Sequence, residues 1–298
     1  MAASVAEALG SAEPHSRQAW RTAEIEEWTN RWIIHPASWW LAQRAARWGI
    51  HPNLLSLAGL GSGVAAALAY GFWQYGWTCW VGFACMLLWH VLDGADGQLA
   101  RLTGKSSELG KLVDGVCDHG TFAALYLALG LSLHSSVGGW IWALLIAGAA
   151  LSHFVQAGAY ERQRQLYEYF VHSKPVLAAR WEQVPWVLRP VYRLYAAVQR
   201  WLSGEELLLR QVHSSSAECV ARLYRQLLLP VVWGWSVLSS NYRTAALFVC
   251  CLAGMPQLFL AGELVLLNAA MLLLWGWTRR RQRRFVEQLR LEAALVVG

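Results

Sequence analysis

The chain has 298 residues and only four aspartates, Asp93, Asp96, Asp114 and Asp118, all within VLDGADGQLARLTGKSSELGKLVDGVCDHG. The other fifteen acidic residues are glutamates scattered along its length. Strongly apolar sequence flanks the stretch, and a carboxylate in such a setting is costly and usually marks a functional site. At about 100° per residue, Asp93, Asp96 and Ala100 fall on one face of a helix end. Asp114 and Asp118 are i, i+4 partners at the start of a following helix, with Gly110 one turn earlier on the same stripe. Two antiparallel helices joined here would point four carboxylates into one pocket, where unpaired charges repel and divalent cations stabilise them. Oxygen-only ligands favour Mg²⁺, Mn²⁺ or Ca²⁺. Gly97 leaves room beside the carboxylates, Ala100 keeps the same face clear, and Arg101 offers a planar fork to phosphate oxygens. Metal ions beside an arginine suit transfer at a pyrophosphate.

Hydrophobic spans must position these residues. The chain is 56% apolar with 19 tryptophans, far above ordinary soluble usage. Six spans are expected, over Leu54–Phe72, Trp77–Leu92, Leu109–Leu133, Trp140–Tyr160, Thr244–Met255 and Leu258–Trp277. Arginine and lysine are missing from the links between spans one and two and between three and four. They crowd instead between spans two and three, between four and five, and after the last span. The positive-inside rule then puts both termini and both charged loops in the cytoplasm, with the acidic pocket on that side.

The expected organisation is a mobile tail over 1–16, an interfacial amphipathic helix over 17–50, and spans one to four over 51–160. A helical cytoplasmic or interfacial insertion over 161–240, spans five and six over 241–277, and a basic tail over 278–298 complete it. Tryptophan interleaved with arginine over 17–50 (Trp20, Trp28, Trp32, Trp39, Trp40 and Trp48 with Arg17, Arg21, Arg31, Arg44 and Arg47) suits a helix lying at the membrane surface. Pro175, Pro185 and Pro190 interrupt the insertion, which is too aromatic for disorder (Trp181, Trp186, Trp201). The basic tail meets anionic lipid headgroups rather than nucleic acid. Six cysteines show neither metal-site spacing nor a disulfide framework.

The stretch resembles the CDP-alcohol phosphotransferases of phospholipid synthesis, whose signature D-x2-D-G-x2-A-R-x8-G-x3-D-x3-D is matched by Asp93, Asp96, Gly97, Ala100, Arg101, Gly110, Asp114 and Asp118. His51-Pro52-Asn53 is similar to the Pro-Asn that opens the first span of many members. Asn241 and Arg243 in SNYR stand where some relatives carry an asparagine and a basic residue. The resemblance implies that Asp93, Asp96, Asp114 and Asp118 hold two ions, Mg²⁺ or Mn²⁺, and that Asp118 is the general base. It implies that Asn53, Asp96, Gly97, Ala100, Arg101 and Gly110 bind CDP. An acceptor hydroxyl would attack the phosphorus distal to cytidine, and CMP would leave. CDP-diacylglycerol is the expected donor; a soluble CDP-alcohol such as CDP-inositol, acting on a lipid or polyol acceptor, is the alternative. The resemblance also implies a homodimer, here in a bacterial inner membrane.

His119 follows Asp118 about 100° around the helix and reads as a packing residue. His90 and His153 read as structurally satisfied groups on apolar spans, and Glu263 as a buried carboxylate that a hydrogen bond to a neighbouring span explains as well as chemistry does. Lys105, Lys111, Arg162 and Arg164, at cytoplasmic helix ends, serve either an anionic acceptor or the positive-inside rule alone. A divalent-cation transporter would explain the carboxylates, but it would want them near the bilayer midplane. It gives no reason for Gly97, Ala100 and Arg101.

Overall fold

Pro52 stands at the first helical position of α2 (Pro52–Gly71), where its missing N–H costs nothing. His51 caps that helix, its Nδ1 accepting the Asn53 N–H at 3.3 Å. In the computed structural model, which describes Thr22 and residues 24–137, 140–174, 189–212 and 216–297, the chain is helical, with no strand among the described residues. The expected tail over 1–16, residues 17–21 with Trp20, and the 175–188 stretch with Trp181 and Trp186 lie outside the described residues.

The chain divides into two compact units. The first comprises Met1–Ala150 and Arg243–Ala261. It holds α1 (His35–Arg47, entered through a π-helical turn at Asn30–Ile34), α2, α3 (Trp77–Leu102), α4 (Glu108–Val137) and the start of α5 (Ile141–His172). Later come most of α9 (Ser240–Leu252) and α10 (Pro256–Ala261). Small residues set the spacing of these helices. A Cβ on Gly82 would stand 2.8 Å from the Tyr70 ring, and Gly59 lies against Leu92 and Trp89. Such positions let backbones approach closely where lipid gives no hydrophobic drive between helices.

α1 is docked on the far end of α3. Its Ala42, Ala45 and Ala46 bury against Leu55, Leu92, Ala95 and Leu99, and Ser38 Oγ donates to the Val91 carbonyl at 2.8 Å. The opposite side keeps Trp32, Trp40 and Trp48 more than half exposed. Arg44 lies 3.9 Å over the Trp40 ring and Arg31 5.3 Å from the Trp32 ring. One helix thus carries an alanine face inward and a tryptophan–arginine face outward.

The second unit comprises Leu151–Tyr242 and Gly262–Gly298. It contains the rest of α5, α6 (Arg189–Ser203), α7 (Glu205–Gln211), α8 (Ala217–Trp235) and α11 (Leu267–Val297), which follows a π-helical turn at Gly262–Leu266. Residues 278–297, expected as a tail, continue α11. The break between α6 and α7 falls at Gly204, whose φ of +71° suits glycine. Carbonyls left over at the end of α6 find donors on α11: Arg279 donates to Trp201 O, and Gln282 Nε2 to Ser203 O at 2.6 Å. Trp235 Nε1 donates to Thr278 Oγ1 at 2.9 Å. Inside this unit Gln156 Nε2 donates to Asn268 Oδ1 at 2.9 Å and to the Glu263 backbone carbonyl at 3.2 Å.

Among the described residues, five helical stretches are long and apolar enough to cross a membrane: Pro52–Gly71, Trp77–Leu102, Val113–Ser135, Ile141–His172 and Pro256–Glu292. They mark an integral membrane protein. The expected fifth span, Thr244–Met255, differs. It lies in α9, a helix of 13 residues, which at 1.5 Å per residue covers about 20 Å of a hydrocarbon core about 30 Å thick. Gly254, at φ +72°, ends that helix, and Pro256 begins the next. All six cysteines are free thiols, as their spacing predicts.

Candidate metal and nucleotide site

A tight helical hairpin brings the two halves of the acidic stretch together. α3 ends in a Schellman closure: Lys105 N–H donates to the Ala100 carbonyl at 2.9 Å and Gly104 N–H to the Arg101 carbonyl at 3.4 Å. Gly104 takes a φ of +66° there. Ser107 then caps α4, its Oγ accepting the Gly110 N–H at 3.0 Å. Five residues, Thr103–Ser107, therefore reverse the chain and set Asp93–Arg101 beside Gly110–Asp118.

Asp93, Asp114 and Asp118 each offer a carboxylate oxygen within 4.8 Å of the others, all three half-buried. Asp118 is in hydrogen-bonding contact with Asp93. Three carboxylates this close repel one another unless a cation or proton sits among them. Their oxygen-only character fits a hard divalent ion, so the residues present suit the group that the resemblance implies.

Asp96 is arranged differently. It is 5% exposed and faces α2, where Ser56 Oγ donates to its Oδ2 at 2.5 Å. The Gly97 N–H donates to the same carboxylate. Of the four expected ligands, three converge and the fourth is held to one side. Ser56 was missed in the sequence. Its signal is a hydroxyl one turn after Asn53, on the face of α2 that meets α3.

The other expected residues gather around this hairpin. The guanidinium of Arg101 folds back over Gly97, so that a Cβ on Gly97 would stand 3.4 Å from Nη1. Arg101 itself is exposed, on the water side of the hairpin. A Cβ on Gly110 would lie 3.5 Å from Asn53 Oδ1, which places Asn53 at the mouth of α4. Ala100 is half-buried on α3. His119 is exposed, off the acidic face. His90 is buried, its Nε2 3.0 Å from Thr244 Oγ1, in keeping with a structural part. Arg243 is 2% exposed, within the first unit. The side chain of Lys111 lies outside the described residues.

A helical membrane protein with an acidic triad at a helical hairpin, its oxygens close enough to hold a metal ion, is the class that the fold and site define. Comparison with known families bears on this stretch: the model of the CDP-alcohol phosphatidyltransferase family matches residues 49–189. Curated relatives are cholinephosphotransferases. That of Xenopus laevis is 27% identical over 180 residues, covering 54% of this chain and 43% of the relative. The protein of Gallus gallus is 29% identical over 129 residues, or 40% and 35%. The protein of Danio rerio is 28% identical over 108 residues, or 34% and 28%. Each match spans less than half of the relative's length.

Proposed function

We propose that this chain is a membrane transferase of substituted phosphate groups, moving one from a CDP-alcohol to an acceptor hydroxyl and releasing CMP. The observation that carries the reading is the convergence of Asp93, Asp114 and Asp118 inside the stretch that the family model matches. Divalent cations held by these aspartates, with Asp96, would neutralise pyrophosphate oxygens and support the leaving group. Arg101 presents its fork to phosphate oxygens, in the space that Gly97 and Ala100 leave open. Asn53 and Gly110 bound the same mouth. Asp118 accepts the proton of the acceptor hydroxyl as its oxygen bonds to the phosphorus distal to cytidine. The bond from that phosphorus to the CMP oxygen breaks, and CMP departs with the electron pair.

The name of the relatives says that they transfer phosphocholine. It directs the donor reading towards a small CDP-alcohol with a lipid acceptor, and nothing in the comparisons favours CDP-diacylglycerol. The deciding experiment offers purified protein, with Mg²⁺ or Mn²⁺, a panel of CDP-choline, CDP-ethanolamine, CDP-inositol and CDP-diacylglycerol against diacylglycerol and polyol acceptors. CMP release with one donor supports the reading and names it. No CMP from any pair sinks it.

The same reading places the acidic hairpin, both termini and residues 161–240 on the cytoplasmic side of a membrane, such as a bacterial inner membrane. α1 then rests its exposed tryptophans at headgroup level. α6 does likewise with Leu194 and Trp201, both more than half exposed. Two chains pair through tryptophan-rich spans, which cross-linking in native membranes tests.

A further inference from the structure

In the second unit, α7 and α11 leave a groove of about 570 Å³, lined by Leu207 of α7 and by Arg283, Val286, Glu287, Arg290 and Leu291 of α11. At about 100° per residue, the five α11 residues fall on one arc of the helix. Val286 is buried, Leu207 half-buried and Leu291 61% exposed, so the floor is apolar and open to solvent. Arg283, Glu287 and Arg290 are exposed at i, i+4 and i+7. They form a stripe of alternating charge over two turns, about 10 Å long. The second cation is ordered from the end of α7: Arg290 Nε and Nη2 donate to Gln211 Oε1 at 3.1 and 2.9 Å. A neutral amide fixes the guanidinium without cancelling its charge, which cuts the entropy lost when an anion binds.

We infer that this groove is a docking surface for a helix of another protein, one with apolar anchors beside an acid–base–acid stripe at the same i, i+4, i+7 spacing. Amphipathic helices lay their apolar face into such grooves, and flanking charges choose the partner and its register. Other occupants fit less well. A phosphate group drawn by the two arginines would meet the Glu287 carboxylate between them. A second copy in register would set arginine against arginine. A bilayer lipid would leave the floor unused. The apolar run of α11 ends at Trp277, and Val286 and Leu291 stand about 14–21 Å further along the helix. A headgroup layer is only roughly 5–8 Å thick. The groove lies in the second unit and the acidic hairpin in the first, so docking stands or falls independently of the reaction proposed above.

The test uses the detergent-purified full chain and two fluorescein-labelled synthetic helices, read by anisotropy. Both carry two leucines one turn apart. One bears glutamate, lysine and glutamate at i, i+4 and i+7, the other lysine, glutamate and lysine. The first should bind at least about tenfold tighter than the second. Reversing the stripe with Arg283→Glu, Glu287→Arg and Arg290→Glu together should invert that preference, which a mere loss of folding would not do. Leu291→Ser should weaken the matched peptide about tenfold, and Gln211→Ala, which frees the Arg290 side chain, about two- to tenfold. Equal affinity for the two peptides, or a preference unmoved by reversing the stripe, overturns the proposal. Displacement of the matched peptide by inorganic phosphate at constant ionic strength, or by phosphatidylglycerol bicelles, gives the groove to an anion or to lipid and overturns it. A dimer of the chain that dissociates in Arg290→Glu gives the groove to a second copy and overturns it likewise.

Discussion

Gly63 and Thr121 meet where α2 crosses α4: a Cβ built on Gly63 would overlap the Thr121 side chain, which is itself fully buried. This crossing lies within one turn of Asp118 on the same face of α4, so it sets how close the acidic helix stands to α2. Gly63→Ala should destabilise the bundle by about 1–3 kcal/mol through overpacking. Thr121→Gly in the same chain should recover part of that loss, because the pair is in contact and does not add. Thermal unfolding of the two single variants and the double variant checks the sign of the coupling.

Asp114→Asn removes one arm of the triad and leaves its shape. CMP release should fall by at least about a hundredfold, the scale of losing one group that stabilises developing charge. Helical circular dichroism should be unchanged. Turnover close to wild type in this variant would remove Asp114 from the metal site.

Arg101→Lys keeps the charge and loses the planar fork. On the proposed reaction it should raise KM for the CDP donor roughly tenfold, a cost in proportion to one lost charge-assisted contact. Initial rates over a donor series measure it, and an unchanged KM would take Arg101 out of the phosphate contact.

Gln282 is fully buried and its Nε2 donates to the Ser203 carbonyl at the end of α6. Gln282→Ala leaves that carbonyl without this donor and should cost about 1–3 kcal/mol. Hydrogen exchange should rise first in 200–208, around the break at Gly204, with α2–α4 unaffected.

Cys219 lies at the start of α8 with its Sγ 2.8 Å from Glu292 Oε2. Burial first, and then the Glu292 carboxylate, push its thiol pKa up, against the partial relief of Arg222. The thiolate is the reactive form. Iodoacetamide should therefore label Cys219 more slowly than a free thiol at pH 8, with the rate still climbing at higher pH. Glu292→Gln should speed labelling and Arg222→Gln should slow it, as followed by peptide mass spectrometry.

The parts of the site that rest on local signals were readable from the residues. Pro52 after His51, Gly104 in TGKSS and the Ser107 cap are short-range instructions, and they produce the hairpin that the aspartate spacing requires. Helical spacing also put Asp93 on the face that meets Asp114 and Asp118. The turning of Asp96 towards Ser56 was not readable, because that bond joins residues forty positions apart on separate helices. The fifth expected span was legible only in part, for a different reason. Hydropathy over Thr244–Met255 measures apolarity, whereas crossing a bilayer needs unbroken helix, and Gly254 with Pro256 cuts this one short. In α1, the tryptophans and arginines advertised the exposed side, while the alanine face that docks on α3 is compositionally silent.

The two-faced α1 has a mechanical consequence. Its alanines are seated against Leu92–Leu99 and its Ser38 is tied to Val91, so α1 and the acidic end of α3 move as one body. On the reading proposed above, Trp32, Trp40 and Trp48 on the other side ride at the level of the lipid headgroups. The helix would then act as a float, and the waterline it keeps would fix the draught of Asp93. A thicker or thinner bilayer would shift that waterline before it strained any span, and the aspartates would be raised or lowered against the aqueous nucleotide. Turnover in discs of graded acyl length should then peak at one thickness, and replacing Trp32, Trp40 and Trp48 together with alanine should flatten the peak.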